Sequence, residues 1–323
     1  SGYLSTHTAM LDTLGYRELT SKAILAHTIG GFVAAIVATV GGFVIYNEVT
    51  TVDFGEIAIE NIPQKSEDTE RIISFNLRCA DDEEGSVKNR SKIALAIIEQ
   101  YEPDSFGVQE ATGKWMKILN KNLVEKYACV TQPRSEDPNS ETSAVFYLKD
   151  KFELVDSGTI WLSETPDVPY TKHEDSGCVR IATWATLKTK GTEKVYTHIN
   201  THLDHVSTDA QDLGGKLIAE KAEEIKNKYV EIAVVITGDF NQYPDGLAIK
   251  ALKDKGFVNA YDTSENGKTT ATYHGWGKTL EDKPIDFIFT SSDVTVKDYA
   301  VQDEKWDNSY VSDHFMITAE IEF

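Results

Sequence analysis

An apolar stretch near the N-terminus, residues 23–47, contains no Asp, Glu, Lys or Arg until Glu48 and is rich in Ile, Val, Ala, Phe and Gly. As a helix rising about 1.5 Å per residue, it is long enough to cross the ~30 Å hydrocarbon core of a bilayer. The pattern therefore predicts one transmembrane helix. A buried core helix is disfavoured by the length, and a signal peptide by the lack of a clean small-residue cleavage site.

Charges on the two sides of this stretch predict its orientation. Arg17 and Lys22 precede it, whereas four acids follow it: Glu48, Asp53, Glu56 and Glu60. Because basic flanks stay on the cytoplasmic side, we expect the body of the protein to lie outside the membrane. The sequence predicts no function for residues 1–22. Residues 48–70, which are polar and contain Pro63, are expected to form a tether.

After residue 70 the apolar positions follow the periods of strands and helices. Strands are predicted at 72–77, 105–108, 143–148, 183–187, 195–201, 233–237, 285–290 and 315–321. Helices are predicted at 90–101, around 115–123 and at 208–228. Many strands with a few helices between them, and no break in composition, predict one two-sheet α/β domain over residues 71–323.

Composition and charge restrict the function further. The 323 residues are 41% hydrophobic, enough for a substantial core, and carry a formal charge of −20. Such acidity disfavours tight, unspecific binding of long nucleic acid and suits a protein that gathers divalent cations. The cysteines, Cys79, Cys129 and Cys178, are too few and scattered for a disulfide framework.

Polar side chains follow several predicted strands at the point where each strand ends. These residues are Asn76, Glu110, His202, Asp239, Asn241, Asp286, Asp313 and His314. Strand ends hold such groups rigidly at the edge of a sheet, facing a cleft. Carboxylate and amide oxygens suit Mg²⁺ or Mn²⁺, and a cation with acidic and imidazole groups is what phosphoester hydrolysis requires.

The motifs around these residues resemble the endonuclease/exonuclease/phosphatase superfamily, which has a deoxyribonuclease I-like fold. The runs are Phe-Asn-Leu-Arg at 75–78, Pro-Asp-Ser-Phe-Gly-Val-Gln-Glu at 103–110, Asn-Thr-His-Leu-Asp-His at 200–205, Gly-Asp-Phe-Asn at 238–241, Ile-Asp-Phe-Ile at 285–288 and Ser-Asp-His at 312–314. Their order is that of the family over residues 72–323. The resemblance implies a four-layer αββα sandwich, two packed β-sheets flanked by helices. Residues 158–166 and 180–184 further resemble bacterial secreted or membrane-attached members.

The resemblance also implies metal ligands. Glu110 is expected to be the principal ligand of Mg²⁺ or Mn²⁺, and Asn76 to support it at the metal. Asp313 is expected to bind the metal or to support a ligand. No Ser or Cys nucleophile lies in a suitable motif, so direct attack by water is expected.

Catalytic roles follow from the same resemblance. Asp239 would orient or deprotonate the attacking water, while Asn241 would hold Asp239 and a phosphate oxygen. His314 would donate to the phosphate and would be held by Asp286. His202 matches a phosphate-contacting position.

Substrate contacts are the remaining implication. Arg180, Arg78 and His205 are expected near the substrate phosphate, and Glu141 is expected to orient His202. The family's frequent Gly-Trp-Asp-Ala run before the arginine is absent, since Glu-Asp-Ser-Gly stands at 174–177. The substrate class stays open among nucleic acid, a phospholipid head group and a phosphorylated metabolite. A non-catalytic surface binding module is the alternative to an enzyme, and no obligate protein partner is evident.

Overall fold

The computed structural model describes residues 52–55, 57–229, 232–264, 270–279, 282–306 and 308–323. The predicted transmembrane helix at 23–47 and the segment 1–22 lie outside these residues. Within the described ranges, no helix is long and apolar enough to cross a membrane.

The described body consists of β-strands with α-helices between some of them. In chain order they are β1 Glu70–Asn76, α1 Val87–Tyr101, β2 Ser105–Ala111, α2 Gly113–Leu123, β3 Tyr127–Val130, β4 Thr142–Leu148, β5 Phe152–Trp161, β6 Ile181–Thr189, β7 Val195–His202, α3 Thr208–Lys228, β8 Ala233–Asp239, α4 Leu247–Asp254, β9 Phe257–Asn259, α5 Ala260–Thr263, β10 Asp286–Ser291, β11 Thr295–Gln302 and β12 Met316–Glu322.

These strands form two mixed sheets. The first has the order β11-β12-β1-β2-β4-β3, and the second has the order β5-β6-β7-β8-β10-β9. The pairs β1–β2 and β7–β8 are parallel, so in each sheet two neighbouring strands end at the same edge. Polar residues at those ends are thereby brought to one place.

The packing gives the predicted α/β sandwich of two sheets flanked by helices. Alternate residues of β1 show the layers: Ile73 and Phe75 pack with α1 and α2, whereas Ile72 packs between the sheets. The outer face of the second sheet packs against α3 and α4, which contribute Ile218 and Ile249 to that core. Successive side chains of β1 thus point to opposite faces of the sheet, and both faces are buried.

The segment expected to be a tether is partly packed onto the domain. Val52 and Ile59 are buried in the core beside α1. The side-chain amide of Gln100 donates to the carbonyl oxygen of Ile57 at 2.7 Å, and its oxygen accepts from the N–H of Ile59 at 3.0 Å. Apolar residues spaced among the polar ones bind this part of the chain to the surface, so the compact unit begins at Val52.

Candidate active site

The polar strand ends converge on one cleft with a volume of about 410 Å³. Three residues of the second sheet stand side by side in register: His202 at the end of β7, Asp239 at the end of β8 and Asp286 at the start of β10. Cross-strand neighbours point to the same face, which explains how three distant parts of the sequence form one row.

Glu110 reaches the cleft through a local irregularity of β2. The register with β4 shifts between Val108 and Ala111, and Glu110 has a left-handed backbone with φ of 55°. A β-bulge re-aims a side chain in this way. The Glu110 carboxylate accepts from the Cys79 backbone N–H at 2.8 Å and from the Asn76 amide at 3.1 Å. Burial would raise the pKa of Glu110, but these donors lower it overall, so the side chain is held as a carboxylate.

Asn76 links the two sheets at the site. Its side-chain nitrogen also donates to Asp239 at 3.0 Å, and its oxygen accepts from the Arg78 backbone N–H at 3.0 Å. Both ends of the amide are therefore engaged with the protein. Through these contacts Asn76 orients the carboxylates of Glu110 and Asp239.

Asp239 is buried at the bottom of the cleft among polar groups. Its carboxylate accepts from the Asn241 backbone N–H at 3.0 Å. The Asn241 side chain donates to the Leu203 carbonyl oxygen at 3.0 Å and lies 3.1 Å from Nε2 of His202. Burial and the nearby Asp286 carboxylate raise the pKa of Asp239 to about 7. A carboxylate with a pKa in this range can accept a proton near neutral pH.

His314 lies between two carboxylates. Its Nδ1 is 2.9 Å from the Asp286 carboxylate, and its Nε2 is 3.7 Å from Asp239. Burial disfavours the imidazolium, but Asp286, Asp239 and Asp313 outweigh it and raise the pKa of His314 to about 10. His202, in contrast, is kept neutral because burial and the positive charge of Arg180 hold its pKa well below the ordinary value.

Two groups in the described part of the chain offer three possible ligand atoms within 4.8 Å of one another: Asp239 with Asp286 and His314, and Cys178 with Asp204 and His205. In the first, Nδ1 of His314 lies 2.9 Å from the Asp286 carboxylate, and Asp239 already accepts from Asn76 and Asn241. In the second, Asp204 is occupied by the N–H groups of Gly177, Val206 and Ser207. Neither group is therefore a ready cage for a hard cation.

Glu110 and Asp313 fit a divalent cation better. Both line the cleft. Burial, and after it the negative charge of Glu110, raise the pKa of Asp313. A hard cation such as Mg²⁺ or Mn²⁺ takes oxygen ligands of this kind and would offset their negative charge. Glu110 and Asp313 are therefore the candidate ligands for a divalent cation.

One wall of the cleft is basic. Arg134 donates two hydrogen bonds of 2.8 Å to Glu141, and a nitrogen of Arg180 lies 2.9 Å from Nδ1 of His205. Glu141 was expected to orient His202, but it is paired with the Arg134 guanidinium, and Nδ1 of His202 has no hydrogen-bond partner among the described residues. The bidentate geometry of an arginine–carboxylate pair explains this preference.

The cleft brings together most of the predicted site residues. Those that line it are Arg78, Glu110, Glu141, Arg180, His202, His205, Asp239, Asn241, Asp313 and His314. Asn76 and Asp286 support them through the hydrogen bonds above. Arg134 and Tyr273 also line the cleft and were missed. Arg134 lies in the turn region between β3 and β4, where no periodic pattern or motif marks it. Tyr273 forms an isolated antiparallel β-bridge with His314.

Comparisons with known proteins agree with this geometry. The model of the Endonuclease/Exonuclease/phosphatase family matches residues 73–314. An endonuclease/exonuclease/phosphatase from Bacteroides vulgatus is 30% identical, with 79% of this chain and 99% of that chain covered and a TM-score of 0.72. A mannosyl-6-phosphatase from Bacteroides thetaiotaomicron is 28% identical, with 79% and 100% covered and a TM-score of 0.73.

A more distant structure extends the likeness of the fold alone. The human nocturnin catalytic domain with a bound sulfate anion is 20% identical, with 80% of this chain and 96% of that chain covered and a TM-score of 0.62. No curated protein sequence matches the chain at a significant level. The family match spans most of the chain and includes every strand end that carries the site. The chain therefore belongs to the endonuclease/exonuclease/phosphatase family of phosphoester hydrolases.

Proposed function

We propose that this protein is a divalent-metal-dependent hydrolase that uses water to cleave small phosphoesters. The observation that carries the proposal is the position of Asp239, which is buried, held by Asn76 and Asn241, and adjacent to the His314 imidazolium. A carboxylate oriented in this way at the bottom of a cleft fits the role of a base for water.

Different residues of the site would accept the proton of the attacking water, stabilise negative charge and orient the phosphoryl group. Asp239 would accept a proton from the attacking water, because its raised pKa makes it basic enough near neutrality. The His314 imidazolium, held at Nδ1 by Asp286, would donate from Nε2 to a phosphoryl oxygen as negative charge develops there. Asn241 and the neutral His202 would fix the orientation of the phosphoryl group.

Glu110 and Asp313 would hold the metal, with Asn76 keeping Glu110 in position. A bound Mg²⁺ or Mn²⁺ would supply positive charge against the phosphoryl group and the leaving oxygen. Arg78, Arg180 and Arg134 would add fixed positive charge at the rim of the cleft.

The charge distribution favours a small substrate over long duplex DNA. The chain carries −20 overall, and the arginines that line the cleft are Arg78, Arg134 and Arg180. Three phosphate contacts would give a salt dependence with a slope of only about −3, too shallow for a nuclease that follows the DNA backbone. The similarity to a mannosyl-6-phosphatase supports a phosphorylated sugar or metabolite as the first substrate class to test.

A hydrolysis screen tests the proposal. The protein is incubated with sugar phosphates, phospholipid vesicles, inositol phosphates and plasmid DNA, each with Mg²⁺ and with a chelator. We expect the highest kcat/KM on a small phosphoester in the presence of Mg²⁺, and no hydrolysis with the chelator. Plasmid turnover at least about tenfold faster than the others, with a steep salt dependence, would contradict the substrate class. Binding without turnover of any compound would favour the non-catalytic binding module.

We also propose that residues 23–47 anchor the protein in a membrane with the body on the extracytoplasmic side. The length of the apolar stretch and the charges on its flanks support this location. Because the body is compact from Val52, protease added to intact cells should cut before this residue and release a soluble fragment. A body that remains protected in intact cells would contradict the orientation.

A further inference from the structure

Arg90, in the first turn of α1, makes an unusual set of contacts for a buried arginine. The residue is 2% exposed, and all three of its side-chain nitrogens donate to backbone carbonyl oxygens. The acceptors are Gly85 at 3.2 Å, Leu77 at 2.6 Å, Val311 at 2.9 Å, Arg78 at 3.0 Å and Ala80 at 2.5 Å. A guanidinium has five N–H donors in a fixed plane, so five acceptors use its full capacity.

Two indole rings hold the guanidinium of Arg90. Its central carbon lies 5.4 Å from the Trp115 ring centroid and 5.5 Å from that of Trp276. The Trp115 indole N–H donates at 2.9 Å to the carbonyl oxygen of Arg78, which Arg90 also contacts. The plane of donors is therefore fixed by packing as well as by hydrogen bonds.

The carbonyls that Arg90 contacts belong to two loops of the cleft. The loop after β1 carries Arg78, which has a left-handed backbone with φ of 58°, and Cys79, whose N–H holds Glu110. The other loop contains Val311, immediately before Ser312, Asp313 and His314. One guanidinium thus donates to both loops at once.

We propose that Arg90 is a positioning residue that sets the distance between the Arg78–Glu110 side and the Asp313–His314 side of the cleft. The role rests on the proposed hydrolase function. Arg90 does not reach the substrate itself, because it is buried beneath the two loops. Lysine cannot replace it, because five carbonyl oxygens need donors and an ammonium has only three. An ammonium also has no plane that could stack between the two rings.

Arg71 provides a matched control. It is also buried, at 3% exposure, and donates to the carbonyl oxygens of Tyr101 at 2.6 Å and Pro63 at 2.5 Å and to the Glu320 carboxylate. Its guanidinium also lies over an aromatic ring, that of Tyr101. However, it stands near the start of β1, at the opposite end of the strand from the cleft.

The test compares Arg90→Lys with Arg71→Lys in the complete protein, by amide hydrogen exchange and by steady-state kinetics. In Arg90→Lys, we expect exchange in residues 77–85 and 311–314 to accelerate at least about tenfold, while β7 and β8 stay protected. We expect kcat to fall and KM to rise, with kcat/KM down about 10²-fold, because small displacements of reacting groups have effects of that size. Arg71→Lys should leave both loops and kcat/KM unchanged, even if it lowers the melting temperature.

Guanidinium ions supply a further readout. In Arg90→Ala, millimolar guanidinium should restore part of kcat/KM, whereas ammonium at the same concentration should not. Wild-type kinetics and wild-type exchange in Arg90→Lys would overturn the proposal, as would lost activity without faster exchange in both loops. If wild type hydrolyses no phosphoester, the proposed function fails, and the exchange experiment alone decides the role of Arg90.

A milder variant covers the case in which Arg90→Lys does not fold. Trp276→Leu removes one of the two rings beside the guanidinium and keeps all of its acceptors. It should accelerate exchange in the same two loops to a smaller extent. Unchanged exchange there would overturn the proposal.

Discussion

Replacing Asp286 by Asn should change both the charge of His314 and the rate of hydrolysis. In the structure, the Asp286 carboxylate lies 2.9 Å from Nδ1 of His314. The pKa of this histidine is raised from 6.5 to about 10, with Asp286 as the leading favourable contribution against burial. Since each pKa unit corresponds to about 1.4 kcal/mol, the net effect of the surrounding carboxylates and the opposing burial favours the imidazolium by roughly 5 kcal/mol.

Removing one adjacent charge typically moves a pKa by about 1 to 3. The pKa of His314 should therefore fall in Asp286→Asn, and the imidazolium should be lost at a lower pH than in wild type. Because the imidazolium faces the developing phosphoryl charge, kcat/KM should drop by about 10² to 10⁴ at pH values above the lowered pKa, where Asp286→Asn has lost the imidazolium. The loss should grow as pH rises through the lowered pKa of His314.

Two assays check this result. Imidazole ¹⁵N chemical shifts report the titration of His314, and kcat/KM is measured across the same pH range. Asp104→Asn is the control, since Asp104 is buried and paired with Lys151 at the start of β2, away from the cleft. The control should lower stability and leave the titration of His314 unchanged. An Asp286→Asn protein with the wild-type titration, or with kcat/KM within about threefold of wild type above the lowered pKa of His314, would refute the reasoning.

Three further predictions concern catalysis and stability. Asp239→Asn should lower kcat by about 10² to 10⁴ while the circular dichroism spectrum stays unchanged, and an active variant would remove this residue from water activation. Burial lowers the pKa of His198 to about 3, below its unfolded value of 6.5. Its contribution to stability is therefore complete above pH 6.5 and falls by about 1.4 kcal/mol per pH unit below it, which urea unfolding at pH 7 and 5 measures; a constant midpoint would contradict the assignment. In Gly107→Ala the new methyl would lie 2.4 Å from the Asn200 side-chain oxygen, so unfolding free energy should fall by about 1 to 3 kcal/mol, whereas Gly55→Ala, with its nearest atom at 3.9 Å, should change little.

The central strands of both sheets could be predicted from the sequence, but the edge strands could not. The predicted strands correspond to β1, β2, β4, β6, β7, β8, β10 and β12. The four that were missed in the described part of the chain are β3, β5, β9 and β11, and these form the edges of the two sheets. Central strands are buried on both faces and consist of apolar runs, whereas an edge strand such as β5 has exposed positions along much of its length.

The site was predictable where side chains follow strand ends. Asp239 and His202 are the last residues of buried strands, so their convergence follows from the sheet. Arg134 and Arg90 depend on tertiary packing, because Arg134 lies in a loop and Arg90 has the sequence context of an ordinary residue in an amphipathic helix. The pairing expected for Glu141 differed because an arginine close in sequence provides a bidentate partner.

Hydrolysis in water enriched in ¹⁸O tests the central claim most directly. The protein is incubated with its best phosphoester in H₂¹⁸O, with Mg²⁺ or with a chelator, and the products are weighed by mass spectrometry. If water attacks phosphorus with Asp239 as base, the released phosphoryl group carries the ¹⁸O label. Label incorporation should cease with the chelator and slow by about 10² to 10⁴ in Asp239→Asn. Label in the alcohol product, or undiminished turnover in the chelator or in Asp239→Asn, would contradict the account.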